Sequence, residues 1–225
     1  RQTVQTQEII GSDRITRYRN KGIYAVRSVG GTIKSGFFAP RSHELVPIER
    51  CLIQSELADR VTAAIVDFMS KNGVPAYDEK TGRGLVRHVY VRTAEATPDA
   101  VAVIVSAGGF GGRTAALVSQ LRKACQELTG IVLNVNRTSG NTVLSGSFHT
   151  LWGRECIRDF LGGFEFEISP QAFYQINPPQ AEKLYAKAVE YAAPEGCGTV
   201  LELYCGAGTI SLFLAKRAKK VIGAE

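Results

Sequence analysis

The spacing of hydrophobic and polar positions divides most of the chain into short strands interrupted by helices. In the opening segment, β-forming residues flank Gly30-Gly31, which predicts two strands joined by a tight turn. A helix over about 52–70 is predicted next, because apolar residues recur there at three- and four-residue spacing, at Leu57, Val61, Ile65 and Phe68. Asn72-Gly73 supplies the signal that ends it.

Further strands and helices follow in the same mixed order. The spacing of apolar positions predicts an amphipathic helix over about 113–128 and another helix from 178 to about 192. Runs of β-forming residues predict strands at 85–91, 100–106, 131–136, 142–146 and 164–168. Strand pairs interrupted by helices are typical of an α+β domain, so we expect residues 1–163 to form a central α+β domain.

The end of the chain has a different pattern, in which a strand, a glycine loop, a helix and a strand follow one another. The predicted strands are 199–203 and 220–224, and the predicted helix runs over about 209–217. This order makes one βαβ unit, so we expect residues 164–225 to be the N-terminal part of a Rossmann-like α/β domain. Because two parallel strands cannot build a sheet covered on both faces, we expect this domain to be truncated.

Composition and charge restrict the range of possible functions only slightly. The 225 residues are 44% hydrophobic, as in a globular protein, and carry a net charge of +6 with a pI near 9.1. The first fifty residues hold nine Lys and Arg against four acidic residues. This excess suits a phosphate-rich partner such as RNA, and it suits equally an edge strand protected by positive charge.

Membrane insertion and disulfide bonding are not indicated by the sequence. It contains no run approaching the roughly 18 to 20 apolar residues that cross a bilayer, and residues 1–15 are too polar for a secretory signal. A cytoplasmic location without a membrane or an obligate protein partner is therefore predicted. Five cysteines without CxxC spacing are read as reduced thiols: Cys51, Cys125, Cys156, Cys197 and Cys205.

The first group of candidate ligand-binding residues lies in and around the glycine loop. Gly206 and Gly208 permit a tight turn that a ligand can approach, and Glu225 after the next strand can accept hydrogen bonds from a ribose diol. Ser211 stands where a dinucleotide fingerprint needs its third glycine, and Glu202 would repel a phosphate but attract a cation. A cationic nucleoside such as S-adenosylmethionine therefore fits better than a dinucleotide. An ordinary glycine-bearing βα turn is the alternative.

A second candidate region, FEISPQAFYQINPPQAEKLY, lies immediately before and within the start of the helix predicted from 178. It combines an aromatic pair, a glutamine and an asparagine, which suit stacking and hydrogen bonding to a planar base or cofactor. Taken alone, such a segment is more often made of core residues followed by a capping asparagine.

Together, ISPQAFYQINPPQAEKLY and VLELYCGAGTISLFLA resemble the RNA uracil-5-methyltransferase family, in particular its 23S ribosomal RNA branch. The resemblance extends from about Arg17 onward through SHELVPIERCLIQ, GIVLNVN and NTVLSG. It implies S-adenosylmethionine-dependent methylation of C5 of a uridine in 23S ribosomal RNA. It also implies an RNA-interacting β-barrel, a central α+β domain and a Rossmann-like methyltransferase domain, of which we expect the barrel to lie outside this chain.

The matched motifs imply the site residues. The target base is expected to pack at Phe173, and S-adenosylmethionine is expected to be bound by Gln175, Tyr204, Gly206, Gly208, Thr209 and Glu225. Glu202 departs from the aspartate that is usual in the family at that position. The nucleophilic cysteine and the base are expected beyond Glu225, so the chain alone should be inactive. Cys205 belongs to the cofactor loop and is not assigned as nucleophile.

Cys51 in IERCLIQ matches the last of four cysteines that bind an iron-sulfur cluster in many relatives. The other three would lie upstream of Arg1, so a 4Fe-4S cluster is expected only in a longer protein. A cysteine at this cluster-ligand position, Cys51, argues for the ribosomal branch over a tRNA uracil-5-methyltransferase, which is the nearest alternative. A non-catalytic RNA-binding module and a dinucleotide-dependent enzyme are the alternatives from other classes.

Overall fold

A seven-stranded sheet forms the body of the computed structural model, which describes residue 6 and residues 8–140, 142–192 and 198–225. The strands are β1 (Lys21–Val29), β2 (Thr32–Phe38), β3 (Leu45–Pro47), β4 (Val86–Thr93), β5 (Ala100–Ser106), β6 (Gly130–Val135) and β7 (Ser147–Gly153). Their order across the sheet is β3-β2-β1-β4-β5-β6-β7, and all neighbours are antiparallel except the pair β5 and β6. Gly30 and Gly31 both have positive φ, which confirms the predicted turn between β1 and β2.

Two helices cover one face of this sheet, α1 (Glu56–Lys71) and α2 (Thr114–Ala124). The apolar face of α1 packs on alternate residues of the sheet, in agreement with the predicted spacing. The helix begins at Glu56 because the Ser55 hydroxyl caps it by accepting the Ala58 N–H at 3.2 Å. It ends where predicted, because Gly73 adopts the left-handed conformation with φ +61°.

The opposite face of the sheet is covered by the C-terminal third of the chain. This part contains the hairpin β8 (Ile157–Leu161) and β9 (Phe164–Ile168), the helices α3 (Pro178–Ala192) and α4 (Thr209–Leu214), and the parallel strands β10 (Thr199–Leu203) and β11 (Lys220–Ala224). Their buried residues form one hydrophobic cluster with Tyr90, Val101, Val103 and Val132 of the sheet. The hairpin crosses position 163, so residues on both sides of the predicted domain boundary share this core.

Several predicted bounds differ from the structure, including the start of α1, which was predicted at about 52 and lies at Glu56. The strand predicted at 142–146 is wrong, because the side-chain amides of Asn134 and Asn136 donate to carbonyl groups of this segment. These donors hold it as a loop, and β7 starts only at Ser147. Helix α2 ends at Ala124 and α4 at Leu214, both shorter than predicted. Tighter turn bonds follow them, from the Leu128 N–H to the Cys125 carbonyl and from the Lys216 N–H to the Phe213 carbonyl. Hairpin strand β8 was not predicted.

No helix within the described ranges combines the length and the apolar character required to cross a membrane.

Asp159 of β8 fastens the hairpin to the loop that follows β4. Its side chain is fully buried, and its carboxylate accepts the backbone N–H groups of Glu95 at 3.1 Å, Ala96 at 2.8 Å and Phe160 at 2.9 Å. A typical hydrogen bond contributes about 1 kcal/mol to the stability of the fold. This one carboxylate therefore contributes to holding the C-terminal third on the sheet.

Replacement of Asp159 tests its contribution to the stability of the fold. We expect Asp159→Ala to lower the free energy of unfolding by about 3 kcal/mol, because three backbone N–H groups lose a hydrogen bond to a buried carboxylate. Urea denaturation measures the change. The matched control is Glu165→Ala on the exposed side of β9, which should change stability by less than about 0.5 kcal/mol. Equal effects of the two substitutions would contradict the role of Asp159.

His88 of β4 is a second buried polar residue, with 9% of its surface exposed. Burial, together with the nearby positive charges of Arg27 and Arg87, lowers the pKa of His88 to about 3. In the unfolded chain a histidine has a pKa near about 6.5. Acid therefore protonates the unfolded state first, and stability is lost as the pH falls from 6.5 toward 3.

We expect this difference to appear as acid sensitivity. Between pH 7.5 and pH 5, the wild-type protein should lose about 2 kcal/mol more free energy of unfolding than His88→Phe, which has no proton to bind. Urea denaturation at the two pH values gives both numbers. The control His149→Phe leaves His88 in place and should retain the wild-type loss. A His88→Phe protein that loses as much as the wild type would refute the assignment.

Candidate functional site

The glycine loop between β10 and α4 is a tight turn built from left-handed residues. Tyr204, Gly206 and Gly208 have φ of 60°, 54° and 77°. Glycine adopts this conformation without steric cost, whereas Tyr204 is a non-glycine residue that must be held in it. Two backbone hydrogen bonds close the turn, from the Cys205 N–H to the Ala224 carbonyl at 3.1 Å and from the Gly208 N–H to the Cys205 carbonyl at 2.8 Å.

Glu225 lies against this turn. Its Oε2 accepts the Gly206 N–H at 2.7 Å, so the carboxylate that follows β11 is joined directly to the glycine loop. Tyr204 beside it is 91% exposed, and a Cβ added at Gly206 would meet no atom within 4 Å. Four residues predicted to bind a cofactor, Tyr204, Gly206, Gly208 and Glu225, are thus brought together around an open backbone. Thr209 is the first residue of α4 and continues the same turn.

Glu202, Ser211 and Gly223 form the floor beneath the turn. The Ser211 hydroxyl donates a hydrogen bond to the Glu202 carboxylate, which fixes the orientation of the acid at the end of β10. A Cβ at Gly223 would approach Cys205 Sγ to 2.9 Å and Ser211 Oγ to 3.2 Å, so a larger residue would require these side chains to move. Sequence reasoning used Ser211 only as a break in the dinucleotide pattern and did not identify Gly223. A glycine in the second strand of a βαβ unit was the available signal.

The loop between β9 and α3 carries Phe173 and Gln175. Asn20 holds it by two bonds, since its amide donates to the Gln175 carbonyl at 2.9 Å and its own N–H donates to the Ile176 carbonyl at 2.9 Å. Arg92 donates to the Ala172 carbonyl at 2.9 Å. Phe173 is 79% exposed although the preceding and following backbone is fixed in this way. Its ring is therefore presented to solvent on an anchored loop.

Asn20 and Arg92 were not predicted as site residues, because Asn20 is separated from Gln175 by 155 positions in the sequence. Local spacing carries no signal for such a contact. Among the described residues, no hydrogen bond joins the Phe173 loop directly to the glycine turn. The helices that follow these two loops pack together through Tyr185 and Phe213, whose ring centroids are 5.3 Å apart.

The backbone of Cys51 is held in position by hydrogen bonds to Asp59 and Arg17. Its N–H donates to both carboxylate oxygens of Asp59, and its carbonyl accepts from Arg17 Nη1 at 2.6 Å. Within the ranges that the structure covers, no three His, Cys, Asp or Glu side chains converge on a point that could hold a metal ion. Cys51 by itself does not fit a four-cysteine cluster, so no chemistry of this chain is assigned to one.

Several of the N-terminal basic residues that suggested a phosphate-facing surface are used internally. Arg17 is paired with Asp59 at 2.6 Å, Arg14 with Glu95 at 2.7 Å, and Arg27 with Glu79 at 3.1 Å. The excess positive charge of this region is consequently smaller at its surface than the count of residues indicates.

The chain is similar in sequence to proteins named RNA methyltransferases. No protein-family model matches the chain. It is 39% identical over 222 residues to an uncharacterized RNA methyltransferase of Clostridium tetani, and 38% identical over 216 residues to an uncharacterized RNA methyltransferase of Caldanaerobacter subterraneus. These alignments cover 99% and 96% of this chain and 48% of each relative. The chain thus spans about half the length of the curated relatives it matches.

A solved structure is also similar. The tRNA (uracil-54, C5)-methyltransferase of Pyrococcus abyssi, in complex with S-adenosyl-L-homocysteine, superimposes with a TM-score of 0.74 at 25% identity. The match covers 94% of this chain and 50% of that protein. It supports the expected Rossmann-like methyltransferase fold. Nearly the whole chain is therefore similar to a region that makes up about half the length of each of these methyltransferases.

Proposed function

We propose that this chain supplies the S-adenosylmethionine-binding and base-holding half of an RNA uracil-5-methyltransferase. The observation that carries the proposal is the contact between the Glu225 carboxylate and the Gly206 N–H, beside the exposed ring of Tyr204. The named relatives support the reaction class, and the similar structure from Pyrococcus abyssi was determined with the product form of this cofactor.

The chemical groups around the turn fit S-adenosylmethionine. The exposed Tyr204 ring offers a face on which an adenine can stack. Glu225 uses one carboxylate oxygen on Gly206, which leaves the other to accept a ribose hydroxyl. Glu202, oriented by Ser211, supplies a negative charge for the sulfonium centre. When bound, the cofactor supplies an electrophilic methyl group.

A dinucleotide fits this turn less well. Glu202 and Glu225 place two carboxylates around the loop where a pyrophosphate would lie, and like charges at close range repel. Ser211 occupies the position at which close helix-strand packing would require glycine. The same two acids are favourable for a cationic nucleoside.

Phe173 and Gln175 would hold the target base. An exposed aromatic ring on an anchored loop suits stacking on a uracil that has left its helix, and the Gln175 amide can bond to a planar ligand. Methylation at C5 of uracil also needs a nucleophile that adds to C6 and a base that removes the C5 proton. We place both beyond Glu225, so this chain should bind but not methylate.

The RNA substrate has two candidates. The resemblance of the sequence motifs and of the Cys51 position to the ribosomal branch supports a uridine of 23S ribosomal RNA. The similar Pyrococcus abyssi enzyme acts on uridine 54 of tRNA, which supports the alternative. We propose 23S ribosomal RNA first. A longer protein that carries three further cysteines would on this proposal hold a 4Fe-4S cluster through Cys51.

Cofactor binding can be measured directly by titrating S-adenosylhomocysteine into the chain in a calorimeter. We expect Tyr204→Ala/Glu225→Ala to weaken binding by at least about tenfold, because stacking and a charged hydrogen bond are each worth about 1.5 kcal/mol. The matched control is Glu190→Ala/Tyr191→Ala on α3, which removes the same residue types outside the site. Equal affinities of the two double variants would contradict the proposed site.

The role of Phe173 is tested by methylation of RNA with a protein that includes the other half present in the relatives. We expect Phe173→Ala to lower kcat/KM by about 10- to 100-fold, since loss of a base-aromatic stack costs about 1–3 kcal/mol. Because the ring is largely exposed, the melting temperature should not change. Transcripts of 23S ribosomal RNA and tRNA assayed side by side identify the substrate. Full activity of Phe173→Ala on both would reject the assignment.

A further inference from the structure

Two positive residues, Lys21 and Arg92, lie side by side on the face of the sheet that carries α3. Lys21 begins β1 and is paired directly across the strands with Arg92 of β4. Directly opposed residues point to the same face, with Cβ atoms about 4.5–5.5 Å apart. That face is identified by Arg92, whose Nε donates to the Tyr90 hydroxyl at 2.6 Å, because Tyr90 belongs to the hydrophobic cluster packed against α3.

This pair of cations borders the loop that presents Phe173. Nη2 of Arg92 donates at 2.9 Å to the carbonyl group directly before Phe173. Asn20, which precedes Lys21, donates at 2.9 Å to the carbonyl group of Gln175, two residues after the ring. The backbone on both sides of the exposed ring is thus tied to the strand ends that carry the two charges.

No carboxylate forms an ion pair with Lys21 or Arg92 among the residues that the structure describes. Like charges directly opposite each other destabilise a sheet, and a buried charge costs free energy unless a counter-charge lies nearby. Arg92 is only 3% exposed. The protein therefore holds an uncompensated positive charge beside the Phe173 loop, which an anionic ligand would balance.

Lys21 is the member of the pair that a ligand can reach. Its side chain is half-buried, whereas Nη1 of Arg92 is inaccessible and has no partner among the described residues. Burial lowers the pKa of Lys21, and the positive charges of Arg92 and Arg19 lower it further. An anion at the Lys21 ammonium group would offset this repulsion. Arg92 would then attract the anion through its charge, without touching it.

We propose that Lys21 binds a phosphate group of the RNA strand next to the base held by Phe173, and that Arg92 is a positioning residue that supplies the buried charge behind it. The identification of the anion as RNA phosphate rests on the proposed function. A phosphodiester fits because every base of an RNA strand is flanked by such an anion, and phosphate contacts fix the position of a strand without reading its sequence.

The test uses a trinucleotide with a central uridine, labelled with a dye through a neutral linker, and fluorescence anisotropy measures its affinity for the chain. We expect Lys21→Met to weaken binding by about tenfold, because a hydrogen bond between two charged groups is lost. Lys21→Arg keeps the charge and should bind within about threefold of the wild type. The control Lys123→Met removes the same charge from the exposed side of α2, on the opposite face of the sheet, and should not change the affinity.

Neutral methylphosphonate linkages identify the phosphate group that is bound. One modified trinucleotide carries this linkage on the 5′ side of the uridine and a second carries it on the 3′ side. We expect one of the two to bind the wild-type chain about tenfold more weakly than the parent, and to bind Lys21→Met as tightly as the parent does. Arg92→Gln should weaken binding of the parent but not of this neutral trinucleotide, a difference that a purely structural role of Arg92 would not produce.

Three results would overturn the proposal: no saturable binding of the trinucleotide, equal affinities of Lys21→Met and Lys123→Met, or a methylphosphonate effect that is the same in the wild type and in Lys21→Met. The variant Phe173→Ala, measured with the same trinucleotide, separates this proposal from the proposed function. Weaker binding in Phe173→Ala with unchanged binding in Lys21→Met would reject the phosphate contact alone. Unchanged binding in both would also reject the base-holding role. Affinity for S-adenosylhomocysteine should be the same in Lys21→Met as in the wild type.

Discussion

Burial of both faces of the central strands is the constraint on which the remaining structure depends. Every residue of β5 is buried, and its side chains alternate between the cluster under α1 and α2 and the cluster under α3. Each fully buried Val, Leu or Ile contributes about 1.5–3 kcal/mol. Neither layer of helices is stable alone on a sheet with one bare apolar face. The C-terminal third is thereby positioned relative to the N-terminal sheet.

This shared core determines where the candidate functional groups lie. The hairpin β8–β9 is fastened to the sheet through Asp159, and its turn reaches α3 and α4. The Phe173 loop follows the hairpin and is held by Asn20, which directly precedes β1, and by Arg92 of β4. An aromatic ring can therefore remain exposed on a fixed backbone. Rigid support of an exposed side chain is what a binding site for a base needs.

Charged residues are distributed differently in the N-terminal region and at the glycine turn. Three positive residues near the N-terminus, Arg14, Arg17 and Arg27, are paired with Glu95, Asp59 and Glu79. The glycine turn instead carries the acids Glu202 and Glu225, which suits a cationic nucleoside. The N-terminal region and the glycine turn thus present different electrostatic surfaces of one sheet-centred fold. The fold is shared with the tRNA uracil methyltransferase of Pyrococcus abyssi over half of that protein.

The sequence by itself determined the elements whose signals are local. Periodic apolar residues predicted α1, the glycine pair predicted the first hairpin, and the β10–α4–β11 unit was predicted with its Tyr204, Gly206, Gly208 and Glu225 turn. In each case the decisive residues belong to one element or to one short supersecondary unit, where propensity and spacing act. The tertiary structure decided the pairing of β7, the anchoring of the Phe173 loop by Asn20, and the burial of His88. These depend on residues far apart in sequence, whose contacts form only when the sheet assembles, so no local pattern carries them.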